Sequence, residues 1–140
     1  MEMNIKAAYK YNILLVDDYR PVRRMIKEII EASPDLRVIG ELDDGRDVLK
    51  FLEESPAHII LMDISMPHLG GFEATRKVKE DHPEVKVLIL TIHRYKEYAE
   101  RAMSLGAEGY LLKEEVGDEL LWAITSLRQG GTFISPGLAD

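Results

Sequence analysis

Asp17-Asp18, Asp63, Thr91 and Lys113 each follow or close a short apolar run, and they are the side chains of this sequence with the most chemistry to offer. Three carboxylates, a hydroxyl and an ammonium brought to one place would make a cation site beside a nucleophile. Converging carboxylates repel one another, and protonation, a lysine or a bound cation relieves the repulsion. Oxygen donors with no histidine or cysteine close by in sequence suit a hard ion such as Mg²⁺. That ion takes one or two carboxylates and keeps waters that a phosphate oxygen can replace. Taken singly, each group has an ordinary reading. An Asp after a strand is commonly a turn residue or helix cap, a Thr at a strand end is a β-former, and one lysine among 18 basic residues carries no signal. Their joint placement is what points to a functional acidic site.

For these groups to meet, the runs before them must be neighbouring strands. The runs are Ile13-Leu14-Leu15-Val16, Leu36-Arg37-Val38-Ile39, Ile59-Ile60-Leu61-Met62, residues 85–90 and Tyr110-Leu111-Leu112. They start about two dozen residues apart, the length of a strand plus a crossover helix. Most are too apolar for a strand with one wet face, so parallel strands covered on both sides fit better.

The segments between them read as helices. Val22, Met25, Ile26, Ile29 and Ile30 form one apolar face after Pro21, which suits a first helical turn. Val48, Leu49 and Leu52 mark a shorter helix before Pro56, and Phe72, Thr75 and Val78 a third before Pro83. Tyr95, Tyr98, Ala99, Ala102 and Met103 give a fourth, closed by Gly106. Asp118 is read as the N-cap of a fifth, with Leu120, Ala123, Ile124 and Leu127 inward and Gly130-Gly131 as its stop. Five βα units cannot close an eight-stranded barrel, which leaves an open, doubly wound parallel sheet. Such sheets bind ligands beyond the carboxyl ends of their strands, where Asp17, Asp18, Asp63, Thr91 and Lys113 fall.

Composition narrows the function classes. The 140 residues carry 25 acidic and 18 basic side chains, a formal net charge of −7. That balance argues against a general nucleic-acid-binding surface. With no cysteine there is no disulfide, thiol chemistry or cysteine-based zinc site. No apolar run approaches the ~20 residues of a membrane span, and residues 1–10 lack the apolar core of a signal peptide. A soluble, cytoplasmic single domain is expected.

In order along the chain, Ile13-Leu14-Leu15-Val16-Asp17-Asp18, Asp63-Ile64-Ser65-Met66-Pro67, Leu90-Thr91 and Gly109-Tyr110-Leu111-Leu112-Lys113 resemble the receiver domain of bacterial two-component response regulators. The resemblance covers about residues 11–130. It extends through Gly130-Gly131, Phe133-Ile134-Ser135-Pro136 and Leu138-Ala139 to the receiver-to-linker junction of regulators with a LuxR/NarL-type DNA-binding domain. It implies a flavodoxin-like (βα)5 fold with five parallel strands in the order 2-1-3-4-5. Residues 1–10 would be an N-terminal extension, 11–130 the receiver domain, and 131–140 the start of a C-terminal linker, with the DNA-binding domain outside this chain.

Carried over residue by residue, Asp63 matches the phosphoacceptor, supplied by a phosphohistidine on a sensor histidine kinase. Asp17 and Asp18 match the acidic pair that holds Mg²⁺, Asp18 as the more direct ligand, and the backbone carbonyl of Ser65 matches a further ligand. Lys113 matches the lysine that pairs with the phosphoryl oxygens. Thr91 matches the hydroxyl that moves to the phosphate, and Tyr110 the switch aromatic that turns inward when Thr91 moves. The resemblance further implies a homodimer and no membrane partner. It places the output surface on the fourth helix, fifth strand and fifth helix, around Tyr95, Tyr98, Tyr110 and Trp122.

The sequence departs from the family in places. Ile92 follows Thr91 where a small residue is usual, and a bulky side chain there would narrow access to the acyl phosphate. Glu114 follows Lys113 in place of the frequent Pro, and Gly70-Gly71 retains the second glycine, the one a tight turn would need, but not the acidic or Asn residue before it. Ser65 and His93, each two past a site residue, are positions that tune phosphoryl lifetime, or for His93 a plain solvated loop. Three rivals share parts of the pattern. A flavodoxin-like FMN carrier wants a hydroxyl- and glycine-rich first loop, which Asp17-Asp18-Tyr19-Arg20-Pro21 is not. A haloacid-dehalogenase-type phosphohydrolase wants a second acid where Ser65 stands. A receiver fold kept only as an interaction module, without phosphorylation, is the third, alongside a stand-alone receiver.

Overall fold

The computed structural model describes residues 10–138. Six strands are present there: β1 (Tyr11–Val16), β2 (Leu36–Leu42), β3 (Ile59–Asp63), β4 (Lys86–Thr91), β5 (Gly109–Leu112) and β6 (Phe133–Ile134). Five helices connect them: α1 (Arg20–Glu31), α2 (Val48–Glu54), α3 (Gly71–Asp81), α4 (Lys96–Ser104) and α5 (Val116–Arg128). All strand pairs are parallel, in the order β2-β1-β3-β4-β5-β6.

Why the runs are so apolar follows from where their side chains go. Successive residues of a strand point to opposite faces, and both faces are covered. Ile13, Leu15, Leu61, Leu88 and Leu90 pack with Ile26 and Ile30 of α1 and with Leu120, Ile124 and Leu127 of α5. Leu14, Val16, Ile60, Met62 and Ile89 pack with Val48 and Leu52 of α2, Val78 of α3, and Ala99 and Ala102 of α4. Each such Leu or Ile contributes about 1.5–3 kcal/mol on burial. The central strands are therefore anchored on two sides, and their carboxyl ends are fixed with them. The sheet order reverses beside β1, which creates the crevice where these ends lie open.

The sixth strand departs from the expected five. Phe133 N–H donates to the Glu108 carbonyl at 3.1 Å and Ser135 N–H to the Tyr110 carbonyl at 2.9 Å, so residues 133–135 run along the outer edge of β5. An unpaired edge is a pairing template, and here the stretch read as the start of a linker fills it. Two residues are too few for strand periodicity to register.

The fifth helix also begins earlier than expected. A 3-10 turn, Lys113–Glu115, leads directly into Val116, so Asp118 sits inside the first turn and is not the N-cap. Its charge still favours the helix N-terminus. Tyr95 is the N-cap of α4 and not part of its face. Gly106 and Gly130 stop α4 and α5 at φ +104° and +89°, conformations that glycine adopts without steric cost. The proposed N-terminal extension lies, except for Lys10, outside the described residues. Among those described, no helix is long and apolar enough to cross a membrane.

Candidate functional site

Strand register brings the first two acids together. Val16 pairs with Met62 across β1 and β3, so Asp17 and Asp63 leave adjacent strands at the same level, where strands run about 4.8 Å apart. One carboxylate oxygen each from Asp17, Asp18 and Asp63 lies within 4.8 Å of the others. Lys113, directly after β5, reaches across the edge: its Nζ is 2.8 Å from Asp17 Oδ2 and 3.4 Å from Asp63 Oδ1. Asp17 and Asp63 are buried and Asp18 is exposed.

One ammonium against three carboxylates leaves an excess of negative charge, and Asp63 feels it. Burial and the neighbouring Asp17 carboxylate push its carboxyl up to about 6, against the pull of Lys113. Burial alone would lower the Lys113 ammonium, but the bonds and charges of Asp17 and then Asp63 outweigh it and hold the ammonium above its usual range. Lys113 therefore stays charged while Asp63 titrates well above an ordinary carboxyl.

The loops that carry these acids are held by groups that sequence reasoning did not single out. Asp17 Oδ1 accepts from Tyr19 N–H at 2.9 Å, and Asp17 N–H donates to the Leu42 carbonyl at 3.0 Å. The Arg23 guanidinium donates to the Asp17 carbonyl and to Glu41 Oε1, tying the acidic turn to β2. Asp44 is buried and accepts three backbone N–H bonds, from Arg46 at 3.0 Å, His68 at 2.8 Å and Leu69 at 3.0 Å. Those bonds and the His68 ring outweigh its desolvation and hold its carboxyl far below the carboxylate range. Asp44 thus joins the loop after β2 to the loop after β3, which carries Ser65. Gly71 is needed for close approach and not for a turn: a Cβ there would stand 2.1 Å from the Asp63 carbonyl oxygen. In sequence, Asp44-Gly45 reads as an ordinary turn and Arg23 as one more solvated cation, so neither carried a signal of its own.

Thr91 ends β4 one residue beyond Leu90, the register partner of Asp63, and so reaches the same edge. Its hydroxyl accepts from His93 N–H at 3.0 Å, while the Tyr110 hydroxyl donates to the His93 carbonyl at 2.7 Å. Residues 91 and 110 are therefore linked through the backbone of His93. Tyr110 is already turned inward and fully buried, which drives its phenol up to about 12 despite an opposing bond with Thr91. The His93 ring stacks on Tyr98 at 4.6 Å. Ile92 is 73% exposed and stands out into solvent. Ser65 is exposed at the start of its loop. Tyr95 and Trp122 are exposed, but α4 and α5 cover opposite faces of the sheet, and β6 lines the edge of β5 between them.

An acidic crevice at the switch point of a doubly wound sheet, with a lysine after its fifth strand, defines a class, and sequence comparison agrees with it. Residues 13–125 match the family described as the response regulator receiver domain, and the chain belongs to that family. It is 39% identical over 127 residues to the transcriptional regulatory protein DegU of Brevibacillus brevis, covering 91% of this chain and 54% of that protein. It is 38% identical over 129 residues to the response regulator UvrY of Escherichia coli (strain K12), covering 92% of this chain and 59% of that one. Its structure is similar to a LuxR-family two-component response regulator from Aurantimonas sp. SI85-9A1, with a TM-score of 0.88, 32% identity and 92% of each chain covered. The chain spans a little over half the length of the two curated relatives. These matches place it in the LuxR/NarL-type branch. Receiver domains are signalling modules and not enzymes in the ordinary sense, so the carrier and hydrolase readings fall away.

Proposed function

We propose that Asp63 accepts a phosphoryl group from a phosphohistidine of a sensor histidine kinase, and that the resulting acyl phosphate switches the conformation that controls an output. The observation that carries this is the gathering of the Asp17, Asp18 and Asp63 carboxylates within 4.8 Å of one another, with the Lys113 ammonium against Asp17 and Asp63. An Asp63 carboxylate oxygen attacks phosphorus, the phosphorus–nitrogen bond of the donor breaks, and the electron pair returns to the imidazole, which takes up a proton. Near neutral pH Asp63 is mostly ionised, as the attack requires. Lys113 then exchanges its carboxylate partners for the phosphoryl oxygens, acting as a compact point charge.

The donor set fits Mg²⁺: oxygen atoms only, an excess of negative charge, and an Asp63 carboxyl raised by its burial and then by the neighbouring Asp17 carboxylate. Asp17, Asp18 and Asp63, with the Ser65 carbonyl, would hold it. When bound, the ion offsets the repulsion between an anionic nucleophile and an anionic phosphoryl group and stabilises charge during transfer.

The switch is a population shift. The phosphoryl group adds about −1.5 to −2 charge and three acceptor oxygens, and it favours whichever arrangement offers Thr91 and Lys113 to them. The arrangement with Tyr110 buried against His93 is the one this reading assigns to the phosphorylated population. The domain itself catalyses only its own phosphorylation and dephosphorylation. Residues 1–10 are an extension, 11–130 the receiver, and 131–140 the start of a linker, of which residues 133–135 run along the edge of β5. By analogy with DegU, named as a transcriptional regulatory protein, the output is transcription through a DNA-binding part outside these residues, in a cytoplasmic homodimer.

Intact-mass spectrometry after incubation with acetyl phosphate tests the proposal. Wild type gains one phosphoryl group with Mg²⁺ and none with excess EDTA, and Asp63→Asn gains none. Equal labelling of both proteins, or of neither, refutes it and leaves a receiver fold working as an unphosphorylated interaction module.

A further inference from the structure

Lys113 is the first residue after β5, and the segment that follows β6 holds the backbone from which it extends. Ser135 is buried, and its hydroxyl oxygen accepts from Leu112 N–H at 3.0 Å, the amide directly before Lys113. The same hydroxyl donates to Glu115 Oε1, two residues after Lys113. Glu115 Oε1 also accepts from Gly137 N–H at 3.2 Å. The turn Lys113–Glu115 is thus gripped on both sides of the lysine by residues 135–137. A second tie lies alongside. Arg94, three residues past Thr91, pairs with Glu114 at 3.2 Å and reaches the Gly137 carbonyl at 3.5 Å. Leu138 then packs against the core cluster on the α4 side.

From this geometry we infer that Ser135 and Glu115 are positioning residues for Lys113, and that the segment 133–138 is a strap whose docking is coupled to phosphoryl binding at Asp63. The inference rests on the proposed phosphoacceptor role. Its logic is reciprocal. If the clasp holds Lys113 where the phosphoryl oxygens need it, then breaking the clasp weakens the interaction with the phosphoryl group. By linkage, the phosphoryl group tightens the clasp by the same factor. The edge of β5, where an output surface was expected, would then report phosphorylation through the chain segment that covers it.

Glycine 137 supplies a perturbation that removes no hydrogen-bonding group. A Cβ at that position would meet Glu115 Oε2 at 2.8 Å, so Gly137→Ala displaces the carboxylate and loosens the clasp. Glu115→Gln, by contrast, keeps an acceptor oxygen for Ser135 and Gly137.

Hydrogen exchange of the 133–138 amides, with and without Mg²⁺ and beryllofluoride as a phosphoryl mimic, tests the inference on the full 140-residue chain. Intact-mass labelling by acetyl phosphate is read on the same preparations. In wild type the mimic slows exchange of the strap about five-fold, the low end of ordinary coupling, and in Lys113→Ala it has no effect. Ser135→Ala, Glu115→Ala and Gly137→Ala each slow labelling of Asp63 several-fold, and Glu115→Gln restores most of the wild-type rate. Rescue by Glu115→Gln separates positioning from mere folding. A wild type that labels normally while its strap exchange is unchanged, or an equal response in Lys113→Ala, overturns the strap alone. A wild type that neither labels nor responds overturns the phosphoacceptor reading and the strap with it.

Discussion

Replacing the proposed nucleophile should make the protein more stable. Asp63 is buried beside Asp17, and its carboxyl is pushed up to about 6 from an ordinary 3.8. In the pH range between those values the native state binds a proton that the unfolded chain has released, so stability falls as pH rises through it. Below about 4 both states are protonated and the penalty is absent; above about 6 it is fully present. Converted at 1.36 kcal/mol per pH unit, the interval corresponds to about 3 kcal/mol. Asp63→Asn keeps the shape, can still accept from Lys113, and removes the charge. At pH 7.5 without divalent cations it should gain about 2–3 kcal/mol, or about 5–10 °C in thermal midpoint at ~3 °C per kcal/mol for a chain of this size. Circular dichroism melts of wild type and Asp63→Asn at pH 4, 5, 6 and 7.5 in EDTA measure this, because the difference between the two proteins cancels the titration of groups remote from the site. The gap should be near zero at pH 4 and grow to its full size by pH 7. A variant no more stable than wild type at pH 7.5, or a gap independent of pH, would refute the electrostatic reasoning.

Other outcomes follow from the same site. Millimolar Mg²⁺ should raise the wild-type midpoint by an amount set by mass action, about 1.4 kcal/mol at ten times its dissociation constant, and Asp18→Asn should abolish the rise in a thermal-shift titration. Asp44→Ala strips the acceptor from three backbone N–H groups and should cost about 2–3 kcal/mol in urea unfolding. Because the Asp44 carboxyl is held far below its usual range, its contribution is present above pH 4 and is lost as the pH falls below that. Gly71→Ala drives a methyl into the Asp63 carbonyl and should destabilise by about 3 kcal/mol, at the upper end for overpacking, since backbone cannot swing aside. Tyr110→Phe removes the bond to the His93 carbonyl and should cost about 1 kcal/mol by the same urea assay.

How much of this was legible in the sequence depends on the physical signal each part leaves. The runs of β1, β3, β4 and β5 are buried on both faces, and that burial writes itself as near-continuous apolar sequence; the edge strand β2 is half exposed and keeps only the interrupted Leu36-Arg37-Val38-Ile39. The strands β1 to β5 and the convergence of Asp17, Asp63, Thr91 and Lys113 could therefore be read directly. β6 left no such trace, because a two-residue strand held mainly by backbone hydrogen bonds and one buried Phe has no period. The start of α5 is hidden for a related reason: Asp118 is a good capping residue by type, but the chain enters the helix from a 3-10 turn that residue preferences do not announce. Asp44 and Arg23 act through backbone partners far away in sequence, and such contacts have no spacing to recognise. In sequence, Gly71 reads as the glycine of a tight turn. What it serves is the close approach of a helix to the Asp63 carbonyl, which only coordinates reveal.

The most direct test is chemical trapping of the acyl phosphate. After incubation with acetyl phosphate and Mg²⁺, borohydride reduces an aspartyl phosphate to homoserine, and peptide mass spectrometry locates the altered residue. The present account predicts homoserine at position 63 alone, in wild type and not in samples treated with EDTA. Homoserine at position 17 or 18, or none at any position in a protein that has gained a phosphoryl group, would contradict it.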